Sequence, residues 1–232
     1  MNENVKSLVK EKRINPWSIW VPVIMIALGL VVMYNYLLSE QVKAQREEVN
    51  RPPITSRLEK DVEFEERSGK RVHLADLRGK MVVFAWTFTK CPRGCSGVAL
   101  KMKELMGETK VFGDVHYLSM ALDEGDTVGE LSGFAKNLGV ADGDPWWFVR
   151  GEQKVCRQLM AGAIGFRPVL DIPENERLSA DDKYQHDLRV ALVDGLGQVR
   201  GIYDLMSPDE GIRDFAKRKI LADMDYIRKE RK

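Results

Sequence analysis

The chain has 232 residues, with 36 Lys and Arg against 35 Asp and Glu and a formal net charge of +1. That balance carries no basic footprint for nucleic acid, and 3 cysteines are too few for a disulfide-built scaffold. Beyond a membrane segment and a tether about 170 residues remain, enough for one globular domain with a substantial core.

Residues 1–16 are short and polar, with Lys6, Lys10, Lys12 and Arg13. Trp17 to Leu38 is free of charge and long enough to cross a hydrocarbon layer. Trp17, Trp20, Tyr34 and Tyr36 stand near its two ends, where interfacial aromatics belong. The apolar run exceeds a signal-peptide core and no small-x-small cleavage site follows, so residues 17–38 read as an uncleaved transmembrane anchor. The preceding basic residues favour a cytoplasmic N-terminus. The rest of the chain then lies outside the cytoplasm, where paired cysteines can be oxidised. The short leader has no Arg/Ser-rich transit segment, which favours a bacterial inner membrane with a periplasmic domain. Residues 39–57, ending in Arg51-Pro52-Pro53 and a few more, read as a helix-permissive tether.

The folded domain is expected over residues 58–232. Asp61 to Glu65 alternates, Ser68-Gly69-Lys70 is a turn signal, and Arg71 to Leu74 returns, which predicts a hairpin. Met81 to Phe88 is a continuous run rich in Val, Phe and Trp, the pattern of a strand buried on both faces. Ser96 to Met106 changes period, with Val98, Leu100, Met102, Leu105 and Met106 on an amphipathic helix. Val115 to Ala121 reads as a second buried strand, followed by the acidic turn Asp123 to Asp126. Thr127 to Leu138 suits a helix, Trp146 to Val149 a third strand, and Glu152 to Met160 a further helix. Residues 162–180 show turn residues and no period, and read as a long surface loop. Leu188 to Val193 and Val199 to Tyr203 flank Asp194-Gly195-Leu196-Gly197 as a hairpin. Ser207-Pro208-Asp209-Glu210 has the form of a capping box with Ser207 as cap, opening a last helix. The order predicts an α/β domain: a thioredoxin-like mixed sheet flanked by helices, preceded by one transmembrane helix.

Cys91 and Cys95 sit four positions apart between the first buried strand and its helix. With the helix starting near Pro92, both thiols share one side of a strand-to-helix turn, at the sheet end where open α/β folds place their sites. A helix N-terminus favours anions, and Lys90 and Arg93 add positive charge. Thiolates are nucleophiles and soft metal ligands. A structural pair or an inert disulfide is the plainer alternative. His186 lies in Tyr184-Gln185-His186-Asp187 just before a strand, in a loop that can return to the cysteine turn in this fold. Two soft sulfurs and one imidazole suit Cu(I) and can also hold Cu(II). Cys156, on a helix with Val155 and Leu159, reads as a buried inert thiol, and His73 and His116 as structural. Met102 and Met106 read as core, Trp146-Trp147 as core and rim. Asp123 and Asp126 could cap the next helix, face the site, or do neither.

Taken in order, the anchor, Leu77-Arg-Gly-Lys80, Val83-Phe-Ala-Trp-Thr-Phe-Thr-Lys-Cys-Pro-Arg-Gly-Cys95, Asp123-Glu-Gly-Asp-Thr127 and His186 before Leu192-Val-Asp-Gly195 resemble the SCO/SenC family. Those are membrane-anchored thioredoxin-like proteins of cytochrome c oxidase assembly. The resemblance implies that Cys91, Cys95 and His186 are copper ligands. It also implies copper delivery to the copper-site subunit of the oxidase, with possible electron exchange with that subunit's cysteines; other copper or thiol-redox carriers are further candidate partners. The chain departs from the family habit in three places: Ser96 where Pro is frequent, Arg93 where an acid is frequent, and Asp187 where a small residue is common. A membrane-tethered thiol–disulfide oxidoreductase without a metal is the alternative. His186 and the Cys-x3-Cys spacing separate the two, because dithiol exchange needs no imidazole and usually uses Cys-x2-Cys.

Overall fold

A computed structural model describes residues 15–91 and 95–230 of the chain. The chain divides into two units, Met1–Arg51 and Pro52–Lys232. In the first, α1 (Pro16–Asn50) is one helix whose first turn is capped by Asn15, its side-chain oxygen accepting from the Trp17 N–H at 3.1 Å. The apolar turns run on into Glu40, Lys43 and Gln45, good helix formers, and Lys43 pairs with Glu40 at 2.9 Å. Arg51 leaves the helical region at ψ 120° because Pro52 follows it. Within α1, Pro16–Lys43 is long and apolar enough to cross a membrane.

The second unit is built on an eight-stranded sheet. In chain order the strands are β1 (Ser56–Arg57), β2 (Glu63–Glu66), β3 (Arg71–His73), β4 (Met81–Thr87), β5 (Val115–Ala121) and β6 (Trp146–Arg150). A separate two-stranded ribbon, β7 (Leu170–Asp171) with β8 (Tyr184–Gln185), precedes β9 (Val190–Val193) and β10 (Gln198–Tyr203). The spatial order is β1-β10-β9-β4-β5-β6-β2-β3. β4, β5 and β6 run parallel; β9 pairs antiparallel with β4, and β2 antiparallel with β6. Helices α2 (Cys95–Thr109), α3 (Val128–Asn137), α4 (Gln153–Arg157) and α5 (Glu210–Glu230) flank it. This is the mixed α/β, thioredoxin-like architecture that the order of elements predicts.

Every residue of β4 is buried, and alternate side chains serve opposite faces. Met81, Val83 and Ala85 enter the layer built with Met102 and Leu105 of α2, Leu131 of α3, and Ile220 and Met224 of α5. Val82, Phe84 and Trp86 enter the other layer, with Phe64, Cys156, Met160 and Ile164. Two covered faces explain why β4 reads as an unbroken apolar run rather than an alternation.

Three expectations need correction. Residues 162–180 are more than a surface loop: the chain leaves α4 in a π-helical turn, Gln158–Ile164, and Ile164, Phe166 and Ile172 are buried. A π-turn closes i→i+5 bonds, so its apolar residues follow no 3.6-residue repeat. The final helix is capped by Asp209 rather than Ser207: the Asp209 Oδ1 accepts from the Ile212 N–H at 3.1 Å, and the helix begins at Glu210. Both residues are competent caps, two positions apart. The sheet also reaches further toward the N-terminus than Leu58, because β1 pairs with β10 and the Ser56 hydroxyl donates to the Ala163 carbonyl.

Candidate functional site

β4 ends at Thr87 and the chain turns at once. The Cys91 N–H donates to the Phe88 carbonyl at 3.1 Å. Cys91 is half-buried against the layer that contains Phe84, Trp86 and Phe88. Cys95 is the first residue of α2. A helix N-terminus carries unpaired N–H groups and a positive partial charge, so this point of the chain favours an anion. The expected helix start at Pro92, and the Arg93 charge, lie outside the described residues.

Two acidic contacts pin the segment leading to Cys91. The Thr89 hydroxyl donates to Asp126 Oδ1, and the Thr89 N–H reaches Asp126 Oδ2 at 3.4 Å. Asp126 is buried, and its burial pushes the carboxyl above the usual range against the pull of those two bonds. Lys90 pairs with Glu130 at 2.7 Å. That bond, with help from Thr127, holds the Glu130 carboxyl down at about 2. Thr127 and Glu130 form the capping box of α3. Of the three roles left open for the acidic turn, helix capping therefore belongs to Thr127, and Asp126 braces the cysteine turn.

The third residue of the sequence expectation comes nearly a hundred residues later. His186 directly follows β8, and three contacts tie that loop to the cysteine end of the sheet. The Tyr184 ring packs on Phe88 with centroids 6.0 Å apart, Arg157 stacks on Tyr184 at 5.3 Å, and Lys183 pairs with Asp123 at 3.0 Å. Phe88 is three residues before Cys91 and Tyr184 two before His186, so the two loops share one packed seam.

His186 is half-buried, and its Nδ1 lies 2.9 Å from the Asp187 carbonyl oxygen. A carbonyl only accepts, so Nδ1 carries the hydrogen and the ring lone pair is on Nε2. That bond is the one through which metal-binding histidines fix their tautomer. The donor chemistry of Cys91, Cys95 and His186 thus fits a soft ion. Among the described residues, no three His, Cys, Asp or Glu side chains are grouped closely enough to hold a metal ion.

The sequence pattern of the SCO1/SenC family matches residues 51–220. The chain belongs to the SCO1/SenC family. It superposes on a SCO1/SenC family lipoprotein from Bacillus anthracis with a TM-score of 0.60 and 22% identity, over 74% of this chain and 98% of that one. BsSco, described as a Sco-family cytochrome c oxidase assembly protein with a disulfide switch, aligns with a TM-score of 0.58 and 23% identity, over 75% and 94%. Arabidopsis thaliana ScoI with copper bound aligns with a TM-score of 0.55 and 19% identity, over 70% and 97%. These identities speak for the fold. No protein with a curated description matches the chain.

The residue that follows His186 in this SCO1/SenC protein anchors the loop. Asp187 is 5% exposed. Its Oδ1 accepts from the Arg189 N–H at 3.1 Å and Nε at 2.8 Å, and its Oδ2 from the Arg167 N–H at 2.9 Å and Arg189 Nη2 at 2.5 Å. Burial alone would raise this carboxyl, but the bonds from Arg189 and Arg167 outweigh it and hold it below the usual range. Asp187 is therefore the latch that fixes the peptide carrying His186. In the sequence nothing announces this bond except the nearby Arg189 as a candidate partner.

The remaining candidates lie elsewhere. Cys156 is 1% exposed and burial pushes its thiol up to about 11, which leaves it protonated and unreactive. His116 is buried edge-on to Trp147 at 4.8 Å near the start of β5, and burial lowers it to about 4. His73 pairs with Asp61 at 2.9 Å on the β3 edge.

Proposed function

We propose that this SCO1/SenC protein binds one copper ion through Cys91, Cys95 and His186 and delivers it to the copper site of a cytochrome c oxidase subunit. The observation that carries the reading is the Nδ1 bond of His186, which leaves Nε2 as donor on a loop packed to the cysteine turn. The copper bound by Arabidopsis thaliana ScoI and the assembly role stated for BsSco support it from within the family. Copper here is cargo. Two thiolates and one imidazole hold Cu(I) or Cu(II), and half-burial of Cys91 and His186 leaves room for an acceptor's ligands to replace them one at a time. α1 anchors the chain in a bacterial inner membrane with Pro52–Lys232 on the periplasmic side, beside the acceptor subunit.

A second reading draws on the same thiols and on the disulfide switch described for BsSco. One thiolate attacks a partner disulfide, the partner's leaving sulfur takes a proton, and the other cysteine resolves the mixed disulfide. The products are a Cys91–Cys95 disulfide and a reduced partner dithiol, with two electrons passed to the partner. This step and copper delivery serve one end, since an acceptor must be reduced before it binds copper through thiolates.

The test is transfer. The full chain in detergent micelles, loaded with Cu(I), is mixed with the reduced apo copper-site domain of an oxidase subunit, separated, and assayed for metal. Copper is expected on the acceptor, with the donor recovered as apoprotein. Copper that stays on the donor at an excess of reduced acceptor overturns delivery.

A further inference from the structure

Met206 lies in the loop between β10 and α5, and three observations set it apart. First, its side chain lies on the first turn of α2: a Cβ built on Gly97 would stand 2.6 Å from Met206 Cε and 3.3 Å from Sδ. Gly97 is two residues after Cys95, so the absence of a side chain there seats a thioether against the start of the cysteine helix. Second, Met206 lines the same cleft as His186, together with Leu188, Arg189 and Ser207. Third, it is the one methionine of Pro52–Lys232, among the described residues, that is not buried; Met81, Met102, Met106, Met120, Met160 and Met224 all lie inside the two core layers. Its backbone is held, with the Met206 N–H donating to Asp204 Oδ1 at 3.0 Å. Neighbouring Leu205 goes fully into the core, while Met206 packs only partly against the same layer.

A thioether is soft, uncharged at every pH, and binds Cu(I) in preference to Cu(II). We propose that Met206 is an auxiliary donor for Cu(I) at this site, a station the ion occupies while ligands are exchanged with the acceptor. At that station Met206 Sδ adds a bond to those from Cys91, Cys95 and His186, so the ion stays held while any one of these bonds breaks toward an acceptor ligand. No electron moves. The proposal rests on the copper reading above and adds to it a donor that selects the oxidation state.

The test compares the full chain in detergent micelles with Met206→Leu, Gly97→Ala and His186→Ala under a competing chelator, once with Cu(I) anaerobically and once with Cu(II). Leucine keeps the volume and loses the sulfur, while alanine at 97 displaces the thioether without removing it. Met206→Leu and Gly97→Ala are both expected to weaken Cu(I) binding about tenfold and to leave Cu(II) binding within about twofold. With the methionine methyls labelled by 13C, the resonance missing from Met206→Leu should shift in the wild type when Cu(I) is added. Cu(I) affinity unchanged in Met206→Leu, with His186→Ala still weakened, overturns the role of Met206 and leaves the copper reading standing. No copper binding by the wild type overturns both.

Discussion

Alanine at position 187 is expected to weaken Cu(I) binding about 10- to 100-fold and to lower stability by about 2–4 kcal/mol. The buried Asp187 carboxylate accepts bonds from two backbone N–H groups and from the Arg189 guanidinium. Removing it strands the Arg167 amide without an acceptor and frees the peptide whose carbonyl orients His186. An imidazole that samples several orientations binds a metal less tightly, because the site must be reordered at each binding event. Asparagine retains an acceptor oxygen but loses the charge facing Arg189, so its loss should be intermediate. Chelator competition and urea unfolding on the two variants read the two quantities separately. An alanine variant that binds Cu(I) as the wild type does would show that Asp187 only packs the loop.

The second large effect lies far from the cysteines. Arg200→Ala is expected to cost about 3–5 kcal/mol, the usual result of removing one member of a buried ionic cluster. Arg200 is 3% exposed. It donates to the Pro52 carbonyl through Nε at 3.2 Å and Nη2 at 3.0 Å, to Asp194 at 3.0 Å, and to Glu230 at 2.9 Å. One guanidinium thus joins the start of the globular unit, the β9–β10 turn and the end of α5. Its removal leaves the Asp194 carboxylate buried without a cation. The exposed pair Lys101–Glu104 at 3.0 Å makes a contrast: Lys101→Ala should change stability by less than about 0.5 kcal/mol. Urea midpoints of the two variants measure both, and the folded Arg200 variant should still bind copper.

The parts of the fold that the chain announces are those with a local period. β4 shows as an apolar run because both its faces are covered, and α2 because its apolar residues repeat at helical spacing. The hairpin of β9 and β10 shows through Asp194 and Gly197, whose φ of 77° a side chain would resist. What stayed hidden had no local signal. The π-turn at Gln158–Ile164 breaks the helical repeat, so a covering element of the core passed for a surface loop. β1 is two residues long and exists only through its partner strand. At the candidate site, Cys91, Cys95 and His186 stand out in the sequence as proposed donors, while the contacts that support their loops do not. Asp126 reaches Thr89 across 37 positions, and Lys183 reaches Asp123 across 60. Such pairings come from the fold, and a single sequence offers no pattern that announces them.

The most direct test of the account is the copper stoichiometry of the reduced full chain in detergent micelles under an anaerobic Cu(I) chelator, measured alongside His186→Ala and Cys91→Ser. One tightly bound copper per chain is expected, weakened by each substitution. Binding that ignores both substitutions, or no binding in competition with the chelator, would contradict it and leave dithiol exchange as the activity of this site.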